Sequence, residues 1–125
     1  MVIVDQLSSV GQLLLNAAKS KSVVSFKSFH ALFDDGTSNN DKYDTLEAAS
    51  RALCPSYVAI YSAIMAKNSD GCPGIGFYDI FNNLRSKEFI YVAGHNDPQQ
   101  LTVDDKRKIA SLERTRVYKH AKGNF

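Results

Sequence analysis

The side chains best suited to catalysis or metal binding in this chain are its cysteines and histidines, and they are not spaced for either task. Cys54 and Cys72 lie 18 positions apart, and neither has a second Cys or His at the short spacing of a zinc site. The histidines, His30, His95 and His120, are scattered along the chain. No nucleophile motif is present. The sequence therefore predicts no catalytic residue, no metal site and no cofactor, and a small enzyme is the least favoured class.

Two loops have compositions typical of ion binding but lack the residues that such sites need. An EF-hand starting at Asp34 or Asp35 would have neither Gly at its sixth position nor Glu at its twelfth. The segment GCPGIGF (71–77) places three glycines before a helix, so its backbone amides could face an anion. It lacks the lysine and hydroxyl of a P-loop, and we expect a flexible connection between helices.

Charge is distributed unevenly along the chain. Residues 101–125 hold seven basic and three acidic side chains, whereas residues 1–100 hold eight and ten. The net charge of +2 thus combines a basic C-terminal helix with an acidic remainder. Such a separation can steer a charged partner or favour self-association, although the helix dipole also favours basic residues near a helix end. The predicted partner-binding residues are Lys106, Arg107, Arg114, Arg116, Tyr118 and Lys119, with the acidic segment 34–47 as a second contact element.

Tyrosines are a further feature that is typical of protein interfaces. Their rings offer a large apolar face with a polar tip, which suits either an interface or the edge of a core. The tyrosines in question are Tyr43, Tyr57, Tyr78, Tyr91 and Tyr118.

Residues 45–64, TLEAASRALCPSYVAIYSAI, resemble the helix-turn-helix unit of many bacterial DNA-binding regulators. The small residue Ser50 lies in the first helix of this unit, and the aliphatic Ile60 lies in the second. In that family the second helix occupies the major groove, where its polar side chains read base edges. The resemblance implies possible DNA-reading roles for Ser56, Tyr57, Tyr61 and Ser62.

The second helix of that unit also fits another interpretation. Residues 56–66 contain no Arg, Lys, Asn or Gln, which make the bidentate contacts to bases. A helix that is apolar nearly all round is normally buried. The sequence therefore favours a central core helix here, with a DNA-binding regulator as the alternative.

Hydrophobic spacing predicts the elements that position these residues. Polar or glycine-rich loops are expected at 34–42, 68–76 and 95–100, and the segment 88–94 fits either a helix or an extended strand. Ser25 and Thr102 have the positions of helix N-caps, the latter with Asp105 in a capping box. The predicted helices cover 5–19, 25–33, 45–53, 55–67, 77–89 and 103–121, which gives an all-α domain of five to six helices with short loops.

Length and composition set the class of protein. A chain of 125 residues with 44% hydrophobic residues can form one domain, 1–125, with its own core. No apolar run approaches the roughly 20 residues of a membrane span. The first positive charge, Lys19, follows the N-terminal apolar stretch, so we expect a packing helix rather than a secretory signal. The sequence predicts a cytoplasmic, non-catalytic binding or regulatory module that contacts another protein or forms a homodimer.

Overall fold

Six α-helices and one pair of two-residue parallel strands make up the fold, in a computed structural model that describes all 125 residues. The predicted all-α class is confirmed. The strands pair Val24 with Met65 and Ser25 with Ala66, and they join distant parts of the chain. The helices are α1 (Leu7–Lys19), α2 (Phe26–His30), α3 (Asn39–Leu53), α4 (Ile75–Leu84), α5 (Ser86–Ala93) and α6 (Val103–Asn124), and the strands are β1 (Val24–Ser25) and β2 (Met65–Ala66).

Side-chain caps fix the start of two helices where the sequence predicts them. The Ser25 side chain accepts a hydrogen bond from the backbone of the first turn of α2. At the start of α6, Thr102 and Asp105 form a reciprocal capping box. Each cap satisfies backbone N–H groups that have no partner inside the helix, so the chain begins its helix at a defined residue.

Two further boundaries depend on local signals that the hydrophobic spacing does not show. Helix α3 begins at Asn39, inside the predicted loop, because the Ser38 side chain accepts a hydrogen bond from the N–H of Asp41. The ambiguous segment 88–94 is helical and ends at Gly94, whose φ of 78° is in the left-handed region that favours glycine.

The predicted helix at 55–67 is wrong. After a turn, this segment forms a single 3₁₀ turn at Tyr61–Ile64 and then enters β2. Only local turn bonds form within its backbone, and several of its other backbone groups bind side chains of distant elements, as when the N–H of Ile60 donates to the carboxylate of Glu113 on α6. Apolar composition alone does not separate a buried helix from a buried extended segment.

Residues 59–65 of the same segment occupy the centre of the hydrophobic core, which confirms the predicted burial for this part, whereas Tyr57 and Val58 are exposed. Tyr61, Ala63 and Ile64 have no solvent exposure. Helices α1, α3 and α6 all pack against the 3₁₀ turn, and nearly all of the buried apolar residues form one continuous cluster. None of the helices combines the length and apolar character needed to cross a bilayer.

Candidate interaction surface

A buried carboxylate organises the inner face of α6. Glu113 is fully buried, and its Oε1 atom accepts hydrogen bonds from Nε of Arg85 at 2.8 Å and from Nη1 of Arg116 at 3.1 Å. Its Oε2 atom accepts the N–H of Ile60 at 2.9 Å. Arg116 continues the network outward through an ion pair of 2.6 Å with Glu88 on α5. The burial of Glu113 is thus matched by two cations and a backbone donor.

Arg85, the residue between α4 and α5, connects this network to residues 55–67, which we call the core segment. Its guanidinium donates to the carbonyl oxygens of Ser56, Tyr57 and Val58 at 3.2, 3.3 and 3.5 Å. A guanidinium has five N–H donors, so one side chain can bind a carboxylate and several carbonyls together. These contacts hold the 56–58 turn in a non-helical conformation.

Arg114 anchors the other end of the same segment. Its guanidinium donates to the carbonyl oxygens of Ala63, Met65 and Gly71 at 2.8, 3.0 and 2.9 Å. The 3₁₀ turn, β2 and the loop before α4 are therefore held to α6 by one side chain.

The structure divides the predicted partner-binding residues into two groups. Arg114 and Arg116 bind within the molecule, and the half-buried Tyr118 donates its hydroxyl to the carbonyl of Ser22 at 3.0 Å. Lys106 is half-buried, whereas Arg107 and Lys119 are exposed on α6.

The four residues with implied DNA-reading roles lie on the core segment, in a turn and a 3₁₀ turn, rather than on an α-helix. Tyr61 and Ser62 are buried, Ser56 is half-buried, and Tyr57 is exposed. The Tyr61 hydroxyl lies 2.7 Å from Nδ1 of His120, and burial raises the pKa of Tyr61 to about 12. Two of the four side chains are thus enclosed by the core, because the segment that carries them runs through its centre.

A surface groove lies between α5 and α6, on the outside of the buried network. Its volume is about 730 Å³. Tyr91, which is 91% exposed, and Leu112 give it apolar contact area, and three basic side chains contribute charge. The lining includes Lys87, Tyr91, Val92, Arg107, Lys108 and Leu112.

The charges of this groove are only partly neutralised within the chain. Lys108 pairs with Asp104 at 3.1 Å, and Glu88 is already bound by Arg116. Lys87 and Arg107 form no ion pair, although Nε of Arg107 lies 3.4 Å from a backbone carbonyl. The groove therefore presents two cations that a carboxylate from outside could bind.

The acidic segment also has an occupied part and a free part. Asp41 and Asp44 accept hydrogen bonds from the amino group of Met1 at 2.6 and 2.7 Å. Asp34 and Asp35 are exposed and form no ion pair. They lie in a turn that Gly36 completes with a φ of 88°.

The structure contains no group of three or more His, Cys, Asp or Glu side chains that could hold a metal ion. Both cysteines are free and buried. Comparison of this chain with protein-family models, curated proteins and solved structures finds no significant match.

Proposed function

We propose that the protein is a cytoplasmic, non-catalytic regulatory module that binds through the α5–α6 groove. The observation that carries this proposal is the nearly complete exposure of Tyr91 beside two cations, Lys87 and Arg107, that have no ion-pair partner. Tyrosine and arginine are enriched where proteins contact one another. Arg114 and Arg116, which the sequence also predicts to bind a partner, contribute less to this surface because both are bound inside the chain.

The partner that fits this groove is a second copy of the same chain. The free carboxylates of Asp34 and Asp35 in one copy are complementary to the free Lys87 and Arg107 of another. In a two-fold symmetric dimer each copy would contribute one turn and one groove, so the contact would form twice. The aromatic and aliphatic side chains of the groove add apolar area to this charge pairing.

The experiment is sedimentation equilibrium at low and high salt, with a charge-reversal pair. We expect reversible association of the wild type that weakens with salt, because exposed ion pairs are screened. The variants Lys87→Glu with Arg107→Glu, and Asp34→Lys with Asp35→Lys, should each associate more weakly, and a mixture of the two should recover association. The matched control is Lys19→Glu with Lys27→Glu, which makes the same charge change on exposed residues outside the groove.

Three outcomes would contradict the proposal. A strict monomer at millimolar concentration and low salt would remove self-association. Equal association of the groove variant and the control would remove the groove from it. Duplex DNA binding that falls steeply with salt and is lost in the groove variant would favour the DNA-binding alternative, since released counterions produce such a dependence.

A further inference from the structure

A second concave site lies away from the α5–α6 groove, among α2, α3, the segment after the 3₁₀ turn and the start of α4. Its volume is about 550 Å³, within the range of small-molecule sites. Aromatic rings form much of its wall, with Phe26 and Tyr43 edge to face at 6.3 Å and Phe77 contributed by α4. Leu46 and Met65 add aliphatic surface. The cavity is therefore suited to an apolar ligand body.

A buried hydroxyl without a partner faces this cavity. Ser62 is 2% exposed, and its Oγ atom makes no hydrogen bond in the structure. Its backbone N–H donates to Oγ of Ser50 at 3.3 Å, so the main chain at this position is held in place. Buried polar atoms are nearly always hydrogen-bonded, and an unpaired one costs about 1–3 kcal/mol. Ser62 thus offers hydrogen-bonding capacity, beside the Glu47 carboxylate, to a molecule in the cavity.

Glu47, on α3, places a carboxylate in the same cavity. It is half-buried and forms no ion pair, and the Ser62 hydroxyl is its hydrogen-bonding neighbour in the cavity. Burial raises the pKa of the Glu47 carboxyl, and the nearby Ser62 hydroxyl and Arg51 guanidinium only partly oppose this effect. A carboxylate in apolar surroundings normally requires a cationic or donor partner.

The other charged groups of the cavity are already bound. Asp44 pairs with the Met1 amino group at 2.7 Å, and Lys67 pairs with Asp70 at 3.5 Å. The pKa of His30 is lowered by burial and by Lys42, which favours its neutral form. Glu47 is therefore the one unpaired ionic group among the lining residues.

We propose that this cavity binds a cationic amine or amidinium attached to an apolar, preferably aromatic, body. The carboxylate of Glu47 would accept hydrogen bonds from the cation, the Ser62 hydroxyl would complete its coordination, and the rings of Phe26, Tyr43 and Phe77 would cover the body. Aromatic rings also attract cations through their negatively charged faces. This site shares no lining residue with the α5–α6 groove, and the proposal does not depend on self-association.

The first turn of α4 supports a competing ligand class. Gly74, Ile75 and Gly76 line the cavity, and no side chain caps this helix. Free N–H groups at a helix start can bind an anion. An anion would, however, share the cavity with the unpaired Glu47 carboxylate and leave that group without a partner. The cation is the better match, and the two classes are separable by experiment.

The test is calorimetric titration of the full chain with benzamidine, benzamide and benzoate, three probes that share a ring and differ in charge. We expect benzamidine to bind, benzamide to bind more weakly, and benzoate not to bind. Glu47→Gln should weaken benzamidine binding by about tenfold or more, because a charge-assisted hydrogen bond is lost. Asp79→Asn, which removes an exposed acid of α4 outside the cavity, should leave it unchanged.

Amide chemical shifts of the wild type locate the probe, and Ser62→Ala provides a second variant. Shifts confined to the cavity and a several-fold loss of affinity in Ser62→Ala would support the site. The proposal would be overturned if benzamidine did not bind the folded wild type, or if Glu47→Gln and Asp79→Asn bound it equally. Stronger binding of benzoate than of benzamidine would replace it with the anion site at α4.

Discussion

At the scale of single residues, charged side chains in this protein have opposite roles that residue type does not reveal. Glu113 is fully buried and binds two arginines and a backbone N–H, whereas Glu47 is half-buried and forms no ion pair. Arg114 and Arg107 differ in the same way, since Arg114 binds three backbone carbonyls, whereas Arg107 is exposed and contacts one carbonyl at 3.4 Å. The partners of each charge come from distant parts of the chain, so the sequence alone could not assign these roles.

Removing the buried carboxylate of Glu113 should be strongly destabilising. Glu113→Ala leaves Arg85 and the N–H of Ile60 without their shared acceptor, and loss of one member of a buried ion pair costs about 3–5 kcal/mol. Urea denaturation followed by circular dichroism measures the free energy of unfolding. Asp104→Asn is the control, because it removes the exposed ion pair with Lys108 and should change stability by less than about 1 kcal/mol. Equal effects of the two variants would show that the buried network is not stabilising.

Glu47→Gln should have the opposite effect on stability. The raised pKa of Glu47 means that its charged form is unfavourable in the folded state. The stabilising contribution of Glu47 is therefore fully present at pH values below its pKa in the unfolded state. This contribution is lost as the pH rises through the raised pKa of Glu47 in the folded state. At neutral pH we expect Glu47→Gln to be more stable than the wild type by about 0.5–1 kcal/mol. Urea titrations over a pH series measure this difference, which should disappear in acid; a gain that persists there would contradict the ionisation argument.

At the scale of elements, the helices with local signals could be predicted and the core segment could not. The cap at Ser25 and the capping box at Thr102 are contained within a few residues, and both occur as predicted. The chain at 56–66 is shaped by Arg85, Glu113 and Arg114, which are at least 19 positions away. Its apolar composition indicates burial, but the arginine and glutamate contacts decide its backbone conformation. The groove and the cavity are unpredictable for the same reason, because each combines side chains from separate elements.

Arg114 should control the order of that core segment. In Arg114→Ala the carbonyls of Ala63, Met65 and Gly71 lose their donor, and the variant should be less stable by about 2–3 kcal/mol. Hydrogen exchange should increase at 60–71 more than in α1 or α3, because the lost contacts are local. Lys119→Ala, an exposed change on the same helix, is the control and should have no effect on exchange. A uniform increase over the whole chain would contradict a local role for Arg114.

At the scale of the whole molecule, the two buried thiols report whether the fold opens as one unit. Cys54 and Cys72 are each 1% exposed, one at the start of the core segment and the other in the loop before α4. Burial raises the pKa of the Cys54 thiol, so little of the reactive thiolate form is present. For a domain of ordinary stability, thiol labelling by a disulfide reagent should be more than about a thousandfold slower than for a free cysteine. Single Cys→Ser variants observed by mass spectrometry measure each rate. Equal labelling rates that rise together with urea would indicate that the fold opens cooperatively. Fast labelling of Cys72 alone would instead show that the start of α4 opens independently, together with the wall of the cavity that it forms.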